Sequence, residues 1–147
     1  MKYFDDINSH KYIFLGHIGE PKDNSLRLII EQASPENEAR SIASENITAR
    51  EISVSKNSNI YEVVFDSYIG YSVIDESYAL PNNDDVFEGR LFCIYEKSSY
   101  LDYLKKTSFA CNDHPGPFKH YGFNCLNHIV DIASAEEPRI KLIGEKI

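Results

Sequence analysis

No uninterrupted apolar run in this chain of 147 residues approaches the roughly 18 that a membrane-spanning helix needs. Its first residues, Met1-Lys2-Tyr3-Phe4-Asp5-Asp6, turn acidic at once and lack the apolar stretch of an export signal. Cysteine is sparse and odd in number, 3 in all, which points to reduced thiols in a cytoplasm and against a disulfide framework. Basic side chains are scarce too. Fifteen Lys and Arg face 23 Asp and Glu, and the net charge of −8 argues against direct nucleic-acid binding. Internal repeats, heptads and low-complexity tracts are missing, which sets aside solenoids and coiled coils. The 7 glycines are scattered and no Gly-Lys-Ser/Thr phosphate loop occurs. Gly-x-Ser-x-Gly and His-Glu-x-x-His are also absent, as is a twelve-position Ca²⁺ loop, so no cofactor is expected.

What is there is an ordinary soluble composition, 42% apolar and 26% charged, of a length that suits one domain over 1–147. The apolar signal is short and β-like. Lys11 to Ile18 reads as a strand, and the turn formers from Glu20 to Asn24 pair it with Leu26 to Ile30. Ser34-Pro35-Glu36 has the chemistry of a helix start, which predicts a short helix over about 35–45. Glu51 to Ser55 reads as a brief strand. Ile60 to Leu80 is the clearest β region: Tyr61, Val63 and Phe65 share a face, Glu62 and Asp66 the other, and Gly70 marks a bulge or bend. Pro81 to Asp85 is a turn and Leu91 to Glu96 another strand. A helix capped by Ser98 or Ser99 runs to about Thr107, with Ser99 and Asp102 at capping-box spacing and Tyr100, Leu101 and Leu104 facing inward. Cys111 to Pro117 is a loop. His120 to Ser134 is a long strand or a tight pair, and Ile140 to Ile143 a last strand. The predicted class is α+β, strand-dominated, with a mostly antiparallel sheet.

Two patterns invite a chemical reading. Cys111-x2-His114 and, further on, Cys125-x2-His128 could supply four zinc ligands, but on an extended strand Cys125 and His128 point to opposite faces. A buried thiol beside a hydrogen-bonded histidine is the plainer reading. Cys125 or Cys111 could also be a nucleophile activated by His120 or His128 and oriented by Asp131 or Asn127. A small enzyme built on Cys125, His128 and Asp131 is therefore the alternative function. A structural subunit of a larger assembly is a third.

The uneven feature is charge. Between Glu62 and Glu96 stand eight acids (Glu62, Asp66, Asp75, Glu76, Asp84, Asp85, Glu88 and Glu96) and one base, Arg90. Tyr61, Tyr68, Tyr71, Tyr78 and Tyr95 lie in the same stretch. Carboxylates among tyrosines attract a cationic partner and then pack against it, although a merely solvated acidic face has the same composition. The expected partner-binding residues are Asp66, Tyr68, Asp75, Glu76, Tyr78, Asp84, Asp85 and Glu88. Tyr71 is a further candidate anchor, ranked below Tyr68 and Tyr78 because its phase with Ile69 and Val73 turns it toward the core.

The segments Tyr100-Leu101-Asp102-Tyr103, Gly116-Pro117-Phe118-Lys119-His120-Tyr121 and Asn127-His128-Ile129-Val130-Asp131-Ile132-Ala133-Ser134 with Pro138 resemble a family of small bacterial cytoplasmic proteins. Tyr71-Ser72-Val73-Ile74-Asp75-Glu76-Ser77-Tyr78 gives a fainter echo. That family is associated with secreted polymorphic toxins, and the resemblance implies an immunity protein that needs no chemistry of its own. The implied partner is a cognate protein toxin, basic if it attacks nucleic acid, with no membrane contact. The resemblance covers about the last third of the chain and carries no active site with it.

Overall fold

The structure, a computed structural model, describes residues 1–33 and 58–145. The predicted helix over 35–45 and the strand over 51–55 lie outside the described residues. The chain order is α1 (Phe4–Ser9), β1 (Tyr12–Gly19), β2 (Leu26–Ala33), β3 (Asn59–Phe65), β4 (Gly70–Asp75), a 3₁₀ turn (Glu76–Tyr78), β5 (Val86–Gly89), β6 (Phe92–Lys97), α2 (Ser99–Thr107), β7 (Lys119–Asn124), β8 (His128–Ser134) and β9 (Arg139–Glu145). The strands form two antiparallel sheets, ordered β1-β2-β3-β9 and β4-β8-β7-β6-β5. The protein is a strand-dominated α+β fold. None of its described helices is long and apolar enough to cross a membrane.

Alternation decides how the sheets meet. Tyr61, Val63 and Phe65 of β3 are fully buried and face Tyr121, Phe123, Val130 and Ile132 of the second sheet in one core. Phe92 stacks on Phe123 with centroids 4.4 Å apart, and Phe65 meets Tyr121 edge-on at 5.4 Å. Each such side chain contributes about 1.5–3 kcal/mol by leaving water. On the other face of β3, Glu62 pairs with Arg27 and Lys141. The last strand, β9, joins β3 and closes the first sheet, not the second.

The β7–β8 turn then seals the open edge of β1. A bulge between Leu15 and His17 breaks that strand's register. Asn127 accepts from Leu15 N and donates to Leu15 O, both at 3.0 Å, while Leu126 N donates to Ile13 O. One amide thus imitates a strand partner. Two local expectations change. Gly70 starts β4 in regular register without a bulge, and the β region predicted to reach Leu80 breaks after Phe65 and stops at Asp75. Ser98, not Ser99, caps α2, accepting from Leu101 N at 3.1 Å, so the Ser99–Asp102 box is not the cap used.

The N-terminal helix docks through a chain of polar contacts. His10 Nε2 lies 2.6 Å from the Tyr61 hydroxyl, which donates to Asp6 at 2.6 Å. Burial lowers the His10 pKa below its ordinary 6.5, outweighing the upward pull of Asp6. As pH falls through 6.5 the unfolded chain therefore binds this proton before the folded one, and stability drops. Between neutral pH and about 5, where carboxylates remain ionised, thermal unfolding of His10→Gln should lose less stability than that of the unaltered protein. Equal slopes would remove His10 from the acid response.

Candidate functional site

The connection from β4 to β5 is the unusual one. These strands lie at opposite edges of the five-stranded sheet, four spacings or about 19 Å apart. Residues 76–85 must therefore cross the sheet on the face turned away from the core. Asp75 starts the crossing by accepting from Ser77 N at 2.8 Å, which holds its carboxyl below the usual range. Asn82 turns it, its side chain accepting from Asp84 N. Asp85 anchors it, accepting from Ser99 N at the start of α2.

Crossing and helix enclose a cleft of about 360 Å³ whose floor is the outer face of the sheet. Tyr95, His120, Ile129, Asp131 and Ile74 form that floor, with Leu80, Asp85 and Phe87 on the crossing side and Ser98 to Tyr100 on the helix side. His120 is buried at the centre. Its Nε2 lies 2.6 Å from Asp131 Oδ1 and its Nδ1 2.8 Å from Ser98 Oγ. Asp131 can only accept when ionised, so Nε2 carries the hydrogen. Tyr95 stacks on the imidazole with centroids 4.0 Å apart. That stack needs Gly122, because a Cβ there would stand 3.0 Å from the Tyr95 ring. Burial, and then the Asp131 charge, push the Tyr100 hydroxyl up to about 12, while Tyr95 is raised further by burial, Cys93, Asp131 and Asp85.

Ser98, His120 and Asp131 share the hydrogen-bond order of a nucleophile relay. Two observations make it a scaffold. Ser98 is only 2% exposed, and its Oγ already accepts from the Leu101 amide. The relay locks the imidazole and the helix start to the cleft floor.

The predicted partner-binding residues separate into groups. Asp75, Glu76, Tyr78, Asp84 and Asp85 lie on the crossing or its ends, and Glu88 is exposed on edge strand β5. Tyr78 is 78% and Leu80 90% exposed, beside exposed Val86 and Phe87. Asp66 is engaged elsewhere, paired with Arg139 at 2.8 Å, and Tyr68 donates to Glu20 at 2.7 Å, which pushes its hydroxyl up to about 12. Both precede β4, about 20 Å of strand away from Glu76. Tyr71, the lowest-ranked anchor candidate for its core-facing phase, is 37% exposed and stands edge-on to Tyr68, because β4 is an edge strand.

The cysteine readings are corrected by placement. Cys125 is buried in the inter-sheet core, where desolvation pushes its thiol up to about 12, while Asp131 is on the outer face and takes its hydrogen bond from His120 instead of His128. His128 has a buried Nδ1 with no hydrogen-bond partner among the described residues, and the histidine held by hydrogen bonds at both ring nitrogens is His120, on the outer face away from the thiol. Cys111 is exposed and bridges by backbone to His114, and no group of three or more His, Cys, Asp or Glu among the described residues is placed to share a metal. All three thiols are free, and Cys93, also buried, is pushed up to about 11. An aromatic disulfide reagent should modify one thiol, Cys111, in the native protein and the other two only after denaturation. Fast reaction of two or more would mean that the core opens.

Sequence reasoning missed His120 as the centre, together with Ser98, Tyr95 and Leu80. The signal existed in the hairpin. With Asn124 opposite Ile129, Gly122 falls opposite Asp131 and His120 becomes its diagonal neighbour. No family model, curated protein or solved structure matches this chain.

Proposed function

We propose that this protein is an immunity-type inhibitor that acts in the cytoplasm and neutralises a cognate bacterial toxin by stoichiometric binding. The partner is a basic toxin, of the kind that must grip phosphates to attack nucleic acid. One observation carries this reading: the acidity of the Glu62–Glu96 stretch is unspent only on the crossing and its neighbouring edge strand. Glu62, Asp66 and Glu96 have basic partners, whereas Asp75, Glu76, Asp84, Asp85 and Glu88 form no ion pair among the described residues. The only base in the stretch, Arg90, is turned away to the carbonyls of His10 and Lys11. Exposed Tyr78, Leu80 and Phe87 beside those acids supply the apolar contact that steering charge alone does not.

The test starts from the gene next to this chain's, expected to encode a secreted protein with a variable C-terminal domain, and co-expresses the chain with that domain; a metabolic operon there would count against the proposal. The expected result is survival of the host and an equimolar complex on size exclusion. Death of the host at molar excess of this chain, with no complex formed, would overturn the proposal. The Cys125, His128 and Asp131 enzyme has no geometric support, because Cys125 is in the core and Asp131 on the opposite face of the sheet.

A further inference from the structure

We infer that the cleft beneath the crossing is a guanidinium-binding site, and that the partner seats an arginine side chain in it; this second clause rests on the binding function proposed above. The cleft, about 360 Å³, is within the range of pockets that enclose small guests. Among the described residues its lining includes two carboxylates, Asp85 and Asp131, and three aromatic rings, Phe87, Tyr95 and Tyr100, but neither lysine nor arginine. Carboxylates with aromatic faces form the environment that holds an organic cation. The start of α2 opposes this with its positive dipole end, but Asp85 already covers it by accepting from Ser99 N. Asp131 gives one oxygen to His120, and its second has no hydrogen bond among the described residues. Burial raises the Tyr95 and Tyr100 hydroxyls first, Cys93 adds to Tyr95, and the Asp131 charge adds to both.

Shape favours arginine over lysine. Tyr95 is packed between His120 and Phe87, so a planar guanidinium would lie against the Tyr100 or Phe87 ring while its N–H groups reach a carboxylate, whereas an ammonium is a strongly hydrated point charge. Ile74, Leu80 and Ile129 offer apolar surface for the aliphatic stem. Leu80, 90% exposed at the rim, is placed to fold over the entrance and exclude water from the pair.

The experiment is a titration of the whole chain with N-acetyl-arginine amide, followed by methyl and aromatic NMR. Saturating shifts are expected at Ile74, Ile129 and Tyr95, with a Kd on the order of 1–10 mM for so small a guest. The capped lysine should bind several-fold more weakly. Capped citrulline, of the same shape without charge, should give no saturation. Asp131→Asn should weaken binding about tenfold, since a half-buried charge-assisted bond is lost. Because that change also touches His120, Asp85→Asn is the companion variant. Its amide oxygen still accepts from Ser99 N, and it should weaken binding about three-fold with the fold intact.

No shift at these residues up to about 50 mM, equal shifts with citrulline, or unchanged binding in both variants would overturn the site. An Ile74→Trp variant, with a ring filling the cleft, separates the two proposals. Undiminished toxin neutralisation by it would overturn the arginine assignment and leave the function standing. Saturable capped-arginine binding in a chain that neutralises no toxin would support the site and overturn the function.

Discussion

Replacing Asn8 by alanine should lower the unfolding free energy by about 3 kcal/mol, read as a fall in the urea midpoint. The Asn8 side chain makes five hydrogen bonds to backbone. Its oxygen accepts from the amides of Arg90, Leu91 and Phe92, and its nitrogen donates to the carbonyls of Phe4 and Phe92. It is the rivet between α1 and the β5–β6 turn, where Gly89 holds a φ of 96° that a side chain would strain. Truncation leaves several partly buried amides and carbonyls without partners, which costs more than a neutral hydrogen bond contributes. Asn8→Asp keeps the acceptor and should lose less than alanine, though it sets a charge against two carbonyls. A loss below about 1 kcal/mol for Asn8→Ala would mean that water satisfies these groups and that α1 is only weakly attached.

Reversing Asp84, Asp85 and Glu88 to lysine together should slow association with the toxin by at least about tenfold at low salt. Three acids becoming three bases move the net charge from −8 by six units, all on or beside the crossing. The difference from the unaltered protein should shrink as salt rises, because exposed charges are screened within a Debye length of about 10 Å at 0.1 M. Dissociation should change little for the Asp84 and Glu88 reversals, whereas a lysine at Asp85 also enters the cleft and should speed it. Asp85 also holds the start of α2, so the Asp84→Lys, Glu88→Lys double variant is the control, and it should keep the thermal midpoint while reproducing most of the rate effect. Tyr78→Ala and Leu80→Ala should act on the other arm, speeding dissociation at a cost of about 2 kcal/mol for a central anchor. An affinity equally insensitive to salt before and after the reversal would make the acidic crossing a solvated face. The contact would then lie elsewhere, with the exposed Cys111–Pro117 loop the next surface to test.

The elements legible from residue order are those whose stabilising pattern is local. The β1–β2 hairpin follows from two apolar runs around turn formers, and the β3 face from alternation through Tyr61, Val63 and Phe65. Helix α2 follows from a capping serine, Leu101 and Leu104 inward, and Lys105 and Lys106 at its negative end. The acidic stretch and the buried thiol at Cys125 were equally plain. Helix α1 was not, because six residues hold too few internal bonds to form alone, and α1 depends on contacts with residues some 80 positions away. Strand β5, four residues and all exposed, has no apolar rhythm to announce it.

The site divides along the same line. Composition alone determined that the Glu62–Glu96 stretch carries nearly all the net charge, because charge adds regardless of where the chain goes. Only the tertiary structure decided which acids remain unpaired, since Arg139 reaches Asp66 and Arg27 reaches Glu62 across strands that sequence distance does not connect. It also decided that residues 76–85 cross a whole sheet, because β4 and β5 pair with different neighbours at opposite edges. That crossing places Asp85 and Phe87 opposite Asp131 and His120 and makes a cleft between segments that are separately unremarkable. Strand pairing order, a long-range property, created the site.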